Sequence, residues 1–131
     1  MATTGNPLRR ILVVDDEPLV CDSVRRMLMS YGHEAETAAS GQEALALFEK
    51  GKFDLIIIDY LMPKMKGDEL AAIIKARAPD QPIAMITASA EMLQASGKSL
   101  PGVDFIIGKP FQLDDLREAV ARILPHDRPS E

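Results

Sequence analysis

The sequence predicts a single α/β domain, in which a doubly wound, parallel sheet of five strands carries five helices on its two faces. Two observations lead to this prediction. Short apolar runs rich in β-branched residues alternate along the chain with segments whose apolar residues recur at every third or fourth position. The 131 residues are also enough to bury one hydrophobic core, and the single cysteine excludes an intrachain disulfide.

The chain opens with a strand, a helix and a second strand. Residues 9–14 are apolar and β-branched, and Pro18 suits the first turn of the next helix, because that position needs no backbone N–H donor. Gly32 ends this helix, whose buried stripe consists of Val20, Val24, Met27, Leu28 and Tyr31. Residues 33–38 alternate only weakly, which favours a strand at the edge of the sheet.

The stretch 53–67 organises the rest of the chain. Its apolar run 55–58 ends in Asp59 and is bounded by turn residues, as is typical of a central strand buried on both faces. Before it, Ser40 and Glu43 form an S-x-x-E capping box that starts a second helix. After it, a third helix is marked by Leu70, Ile73 and Ile74.

The last part of the chain contains two more strands and a final helix. Residues 83–87 and 103–107 form the strands, and the segment 88–100 between them supports only about two helical turns. Phe111 and Leu116 have the spacing of a hydrophobic staple at a helix start. The apolar face of this helix consists of Leu113, Leu116, Val120, Ile123 and Leu124.

The predicted domain covers residues 8–124, between two polar segments, 1–7 and 125–131, that we expect to be flexible. A net charge of −5 gives no support for nucleic-acid binding. No apolar run approaches the roughly 20 residues that span a bilayer, so no membrane segment is predicted. Together with the single cysteine, these features favour a cytoplasmic protein.

Side chains that can bind an ion or take part in a reaction gather at one edge of the predicted sheet, because every strand that is followed by a helix ends there. Asp15 and Asp16 follow the first strand, Asp59 ends the third, Thr87 ends the fourth and Lys109 follows the fifth. Two like unit charges at ~5 Å cost roughly 3 kcal/mol at an effective dielectric of 20, so these carboxylates need protons or a cation. Oxygen ligands suit a hard ion, and we expect Mg²⁺ or Mn²⁺.

These residue types together suit phosphoryl transfer. A carboxylate can accept a phosphoryl group as a nucleophile, and catalysis then consists mainly of positioning and charge neutralisation. A metal ion, the Lys109 ammonium and the Thr87 hydroxyl would each hold one phosphoryl oxygen. Taken singly, Lys109 is an ordinary surface charge, Thr87 an ordinary strand residue and the acidic pair an ordinary solvated turn, so the argument rests on their convergence.

Four segments, ILVVDDEP, LIIIDYLMPKMKG, MITA and IIGKPF, resemble in this order the receiver domain of two-component response regulators. The resemblance covers nearly the whole chain and implies a flavodoxin-like receiver fold. It implies that Asp59 is the phosphoacceptor and Asp16 a direct Mg²⁺ ligand. Asp15 would act on the ion through water, and the backbone carbonyl of Leu61 would supply another ligand.

The resemblance also implies roles for the last two strands. Thr87 resembles the hydroxyl residue that is drawn toward the phosphoryl group, and Lys109 resembles the lysine that pairs with it, with a cis bond to Pro110. The switch position, where receivers usually carry Tyr or Phe, holds Ile106. Because side chains alternate along a strand, we expect the neighbouring Phe105 to point to the opposite face and to be unable to replace it.

The implied function is phosphorelay signalling. A sensor histidine kinase or a histidine phosphotransfer protein would donate the phosphoryl group, and the product would switch contacts with a downstream protein, in a stand-alone regulator or a receiver within a larger chain. The domain would assist its own phosphorylation and dephosphorylation without being a conventional turnover enzyme.

Three alternatives remain open at this point. A haloacid dehalogenase-type enzyme would show D-x-D-x-T where this chain has Asp15, Asp16, Glu17 and Pro18. A flavodoxin-like cofactor binder would need a phosphate-binding loop in place of this acidic turn. A receiver that signals without phosphate would not need the complete set of acidic pair, acceptor, hydroxyl and lysine.

Overall fold

The computed structural model describes residues 9–88 and 102–123. The predicted terminal segments and the weak helical turns around residues 91–95 lie outside the described residues. In this part of the chain no helix is long and apolar enough to cross a bilayer. The strands are β1 (Arg10–Val14), β2 (Glu34–Ala38), β3 (Leu55–Asp59), β4 (Ile83–Thr87) and β5 (Phe105–Gly108), and the helices are α1 (Pro18–Ser30), α2 (Gly41–Lys50), α3 (Gly67–Arg77) and α4 (Leu113–Ile123).

The five strands form one sheet in the order β2-β1-β3-β4-β5, with every neighbouring pair parallel. This order confirms the predicted doubly wound sheet and the edge position of β2. Four of the five predicted helices fall within the described residues. The central strand β3 is buried along its whole length, as the continuous apolar run predicted.

Alternating residues of each strand divide the core into two layers. Ile11, Val13, Leu55 and Ile57 pack with α1 and α4 on one face of the sheet. The residues between them pack with α2 and α3 on the other face, in a cluster that includes Leu12, Val14, Ile56, Ile58, Ala44, Leu70 and Ile74. Because both faces are covered, apolar residues are required at every position of the central strands.

Local sequence signals position two of the helices. Ser40 accepts a hydrogen bond from the Glu43 backbone N–H at 3.1 Å, while the Glu43 carboxylate accepts one from the Ala39 N–H at 2.8 Å. This is the predicted capping box, with the glutamate reaching one residue further back. Phe111 and Leu116 pack in the same core cluster, as the staple spacing predicted.

Two aspartates that the sequence analysis did not single out fasten the amino edge of the sheet, where the strands begin. The Asp54 N–H donates to the Arg10 carbonyl at 2.7 Å, and its Oδ2 accepts from the Arg10 N–H at 2.8 Å. Asp104 makes the same pair of bonds with Ile83, both at 2.8 Å. Each aspartate directly precedes a strand, so the recurring apolar–Asp–apolar pattern is the signal that would have found them.

Candidate functional site

Asp59 is the last residue of the central strand β3 and reaches the carboxyl edge of the sheet. Although it ends at this edge, only 5% of its surface is exposed. The next residue continues the ladder, since the Tyr60 N–H donates to the Ile86 carbonyl at 2.8 Å. The strand therefore fixes the backbone on both sides of this carboxylate.

Asp15 and Asp16 leave the end of β1 beside it. The Asp15 N–H donates to the Ala38 carbonyl at 3.1 Å, and its Oδ1 accepts from the Glu17 N–H at 2.9 Å. Asp15 is buried, whereas Asp16 is exposed to solvent. Beneath this turn the buried Cys21 thiol donates to the Asp15 carbonyl at 3.2 Å, and burial raises its pKa to about 11. Cys21 is thus part of the packing, and its raised pKa disfavours the nucleophilic thiolate at neutral pH.

The three carboxylates form one cluster. Oxygen atoms of Asp15, Asp16 and Asp59 all lie within 4.8 Å of one another. Burial, opposed by the Glu17 N–H and reinforced by the charges of Asp59 and Asp16, raises the pKa of Asp15 to about 6. Its Oδ2 is buried and has no hydrogen-bond partner among the described residues. The cluster has the oxygen donors and the uncompensated charge that a hard divalent cation requires.

Among the described residues, Lys109 is the one whose ammonium contacts the cluster of three carboxylates. Its Nζ lies 3.0 Å from Asp59 Oδ1. Burial raises the pKa of Asp59, and the hydrogen bond from Lys109 offsets part of that rise. For Lys109, burial acts to lower the pKa, but the hydrogen bond and charge of Asp59, aided by Asp15, outweigh it and raise the pKa. The lysine is therefore held as a cation against the carboxylate.

Thr87 ends β4 next to Lys109. It is buried, and its backbone carbonyl accepts from the Lys109 N–H at 3.0 Å. The register pairs Asp59 with Ile86 and Thr87 with Gly108, so Thr87 lies one strand away from Asp59 at the same edge. The bond between Lys109 and Pro110 is cis, as the resemblance implied.

The two other predicted positions lie at the margins of the site. Ile106 is half-buried on β5 opposite Met85, while Phe105 packs with Ile107 in the core on the α1 and α4 side. The alternation predicted for Phe105 and Ile106 is therefore present. Leu61 lies two residues after the end of β3 with 61% of its surface exposed, and its role as a carbonyl ligand remains a prediction.

Glu17 also contributes to the electrostatics of the site, although the sequence analysis gave it no role. Its N–H holds one oxygen of Asp15, and its charge acts to raise the pKa values of both Asp59 and Lys109. The D-D-E run was the available signal, because a third acidic residue in one turn adds charge to an already crowded edge.

A model of the response regulator receiver domain family matches residues 11–121. Response regulator MprA of Mycobacterium sp. (strain KMS) is 34% identical over 122 residues, which are 93% of this chain and 53% of that protein. MprA of Mycobacterium bovis (strain BCG / Pasteur 1173P2) is 32% identical over the same length. The chain spans about half the length of these curated relatives.

Solved structures of response regulators are also similar to this chain. Chemotaxis response regulator CheY4 of Vibrio cholerae is 32% identical with a TM-score of 0.79, over 90% of this chain and 100% of that one. Response regulator TrrA of Thermotoga maritima, solved in complex with Mg²⁺–BeF, is 36% identical with a TM-score of 0.78, over 89% of this chain and 100% of that one.

Proposed function

The chain belongs to the receiver domain family of two-component response regulators, and from that premise we propose that Asp59 is its phosphoacceptor. The observation that carries the proposal is the contact of 3.0 Å between Lys109 Nζ and Asp59 Oδ1 at a buried strand end lined by two further carboxylates. A nucleophilic carboxylate, a fixed ammonium and acidic metal ligands are the parts that phosphoryl transfer to an aspartate requires. We propose that residues 8–124 form this functional unit.

Asp15, Asp16 and Asp59 would hold Mg²⁺, or Mn²⁺, with the Leu61 carbonyl as a further ligand. The orphaned Oδ2 of Asp15 and the closeness of the three carboxylates support this assignment. The similarity to TrrA, solved with Mg²⁺–BeF, supports it as well. When bound, the cation neutralises negative charge on the carboxylates and on the phosphoryl oxygens.

The residues of the chain divide the transfer among them. An oxygen of Asp59 attacks the phosphorus of a phosphohistidine, and the bond from phosphorus to the donor imidazole nitrogen breaks with its electron pair leaving on the imidazole. The Lys109 ammonium, which pairs with the Asp59 carboxylate before the transfer, pairs with a phosphoryl oxygen after it. The Thr87 hydroxyl donates to another phosphoryl oxygen, and the backbone bond between Thr87 and Lys109 keeps the two donors in register.

We propose that the phosphoryl donor is a sensor histidine kinase or a histidine phosphotransfer protein, and that the downstream target is a protein. Family membership supports a protein donor in the cytoplasm. The domain would assist its own phosphorylation and dephosphorylation without turning over as a conventional enzyme. Receivers usually carry at the switch position an aromatic ring that turns inward, whereas this chain has the smaller aliphatic Ile106. We therefore expect the β5 side of the domain to respond differently to phosphorylation.

Intact-protein mass spectrometry after incubation with acetyl phosphate tests the proposal. We expect a gain of one phosphoryl group that requires Mg²⁺ and is absent in Asp59→Asn. The matched control is Asp80→Asn, because Asp80 is an exposed carboxylate that precedes the start of β4, at the edge of the sheet opposite Asp59. An adduct that persists in Asp59→Asn, or no adduct with either acetyl phosphate or a phosphorylated histidine kinase, would overturn the assignment.

A further inference from the structure

The loop between β3 and α3 is closed at its base against the phosphoacceptor. The Gly67 N–H donates to the Tyr60 carbonyl at 2.8 Å. A Cβ at residue 67 would lie 2.5 Å from the Asp59 carbonyl oxygen and 2.9 Å from the Tyr60 Cα, so only glycine allows this approach. The start of α3 is thus set directly on the backbone that carries Asp59.

The tip of the same loop has a strained backbone. The Met65 N–H donates to the Pro63 carbonyl at 2.8 Å, which closes a three-residue turn around Lys64. Lys64 has a φ of 73°, in the region that residues with side chains adopt rarely and at a cost. Such a conformation persists only when surrounding contacts hold it in place.

Met65 provides that contact by lying on Gly41, the first residue of α2. A Cβ at residue 41 would lie 2.5 Å from Met65 Sδ, 3.2 Å from its Cγ and 3.3 Å from its Cβ. The whole stem of the side chain, and not only its flexible end, therefore occupies the space above the glycine. An alanine at position 41 would require the Met65 thioether to move, and the Met65 Cγ and Cβ to give by a few tenths of an ångström.

The loop is anchored on both sides of Leu61. Tyr60, Met62 and Met65 all pack against the core cluster of α2 and α3, while the Leu61 side chain faces solvent. Leu61 is the residue whose carbonyl is proposed as a cation ligand. Mg²⁺ demands a nearly ideal octahedral arrangement at about 2.0–2.1 Å, so a ligand carried on a strained loop must be held in place from outside.

We propose that Gly41 and Met65 are a positioning pair for the divalent-cation site: Met65, seated on Gly41, holds the β3–α3 loop where its backbone can serve the cation. The inference rests on the proposed cation site and adds a determinant on a helix that contributes no ligand. Neither residue touches the cation, and their action passes through the loop backbone.

Gly41→Ala is the direct test, with the Mg²⁺ dissociation constant measured by calorimetric titration with magnesium chloride. We expect the dissociation constant to rise about 10-fold or more, the usual effect of losing support behind a metal ligand. Alanine is a better helix former than glycine, so a general loss of helix α2 would not explain the change. The control is Gly51→Ala at the other end of α2, where a Cβ would meet only the Arg10 guanidinium, far from the acidic cluster, and it should bind Mg²⁺ as the wild type does.

A double-mutant cycle adds Met65→Ala and the combination of both changes. If the pair acts through one contact, Met65→Ala weakens Mg²⁺ binding, Met65→Leu retains most of it, and Gly41→Ala adds nothing once Met65 is alanine. Amide chemical shifts of Lys64 and Gly67 should move in Gly41→Ala even without Mg²⁺. Should Gly41→Ala fail to fold, the comparison of Met65→Ala with Met65→Leu carries the same test.

Wild-type affinity in Gly41→Ala, or independent effects of the two changes, would overturn the positioning role while leaving the cation site standing. If the wild-type protein itself does not bind Mg²⁺, the proposed cation site fails, and the positioning role fails with it. The wild-type titration therefore separates the two proposals.

Discussion

The two edges of the sheet use the same residue type for opposite purposes. At the amino edge, Asp54 and Asp104 each accept a backbone N–H and donate their own to the same neighbouring residue. At the carboxyl edge, Asp15 and Asp59 are buried beside each other and beside Asp16, with pKa values raised chiefly by burial. One edge holds the strands together, whereas the other keeps charge that the protein alone leaves poorly compensated.

The difference shows how a small domain separates stability from chemistry. The amino-edge carboxylates bond to the backbone at the strand starts and so contribute to folding, whereas the carboxyl-edge cluster keeps like charges together and an unpartnered Asp15 oxygen that remain available for a cation. Lysines follow the same division, because Lys75 pairs at 3.1 Å with Asp104, which is bonded to the β4 backbone, and Lys109 pairs with Asp59 in the acidic cluster. Substitutions at matched positions on the two edges should therefore have opposite signatures.

The largest expected effect is on the rate of phosphorylation. Lys109→Ala removes the ammonium that follows charge onto the phosphoryl group, and we expect the rate with acetyl phosphate to fall about 100- to 1,000-fold. Lys75→Ala, the amino-edge counterpart, should leave the rate within about twofold, since surface pairs contribute little to remote chemistry. Initial rates from intact mass measure both. Equal losses in the two variants would break the comparison.

The next effect is on folding. Asp104→Ala leaves the buried start of β4 without an acceptor for the Ile83 N–H and leaves Lys75 without its partner. We expect the free energy of unfolding to fall by about 2–3 kcal/mol, as for a lost hydrogen bond to a charged group. Urea denaturation measures it, and Asp54→Ala should show the same sign. Unchanged stability in both variants would contradict the role of these aspartates in fastening the amino edge.

At the carboxyl edge, removal of a carboxylate should raise the free energy of unfolding instead of lowering it. Asp15 has a folded-state pKa of about 6 against an ordinary value of 3.8, so its ionised form is penalised in the folded protein. Without divalent cations, Asp15→Asn should raise the free energy of unfolding at neutral pH by about 1–3 kcal/mol, and it should weaken Mg²⁺ binding. Asp16→Asn, at an exposed position, should stabilise less. Destabilisation by Asp15→Asn at neutral pH would refute this account of the edge.

The smallest expected effect is the pH dependence of the difference in unfolding free energy between Asp15→Asn and the wild type. Because the folded pKa of Asp15 is raised, its contribution to stability is fully present below pH 3.8 and is lost as the pH rises through about 6. The advantage of Asp15→Asn over the wild type should therefore shrink by about 1 kcal/mol between about pH 7.5 and pH 5. His33, whose pKa is lowered by burial, titrates alike in both proteins and cancels from the difference. A pH-independent difference would exclude Asp15 as the titrating group.

The sequence was sufficient for the fold because its strongest signals are local. The apolar run before Asp59, bounded by turn residues, indicated a strand buried on both faces, and the Ser40 capping box and the Phe111 staple marked helix starts that the structure contains. The convergence of Asp15, Asp16, Asp59 and Lys109 followed from topology, since parallel strands end together.

Contacts that depend on how a helix and a loop pack against each other could not be predicted from topology or from local signals. The seating of Met65 on Gly41 depends on how α2 and the β3–α3 loop approach each other, and neither residue carries a periodic or capping signal for it. The raised pKa of Asp15 likewise depends on burial and on an oxygen left without a partner. Both are properties of packing, which the order of residues along the chain does not display.

The buried Cys21 makes this domain convenient for optical reporting. It is the only cysteine in the sequence, and its thiol is shielded beneath the acidic turn. The thiolate is the species that reacts with maleimide dyes, and a pKa near 11 keeps its population small at neutral pH. A cysteine introduced at the exposed Lys50 could therefore carry a fluorophore with the native thiol left in place, at the edge of the sheet opposite the chemistry being observed.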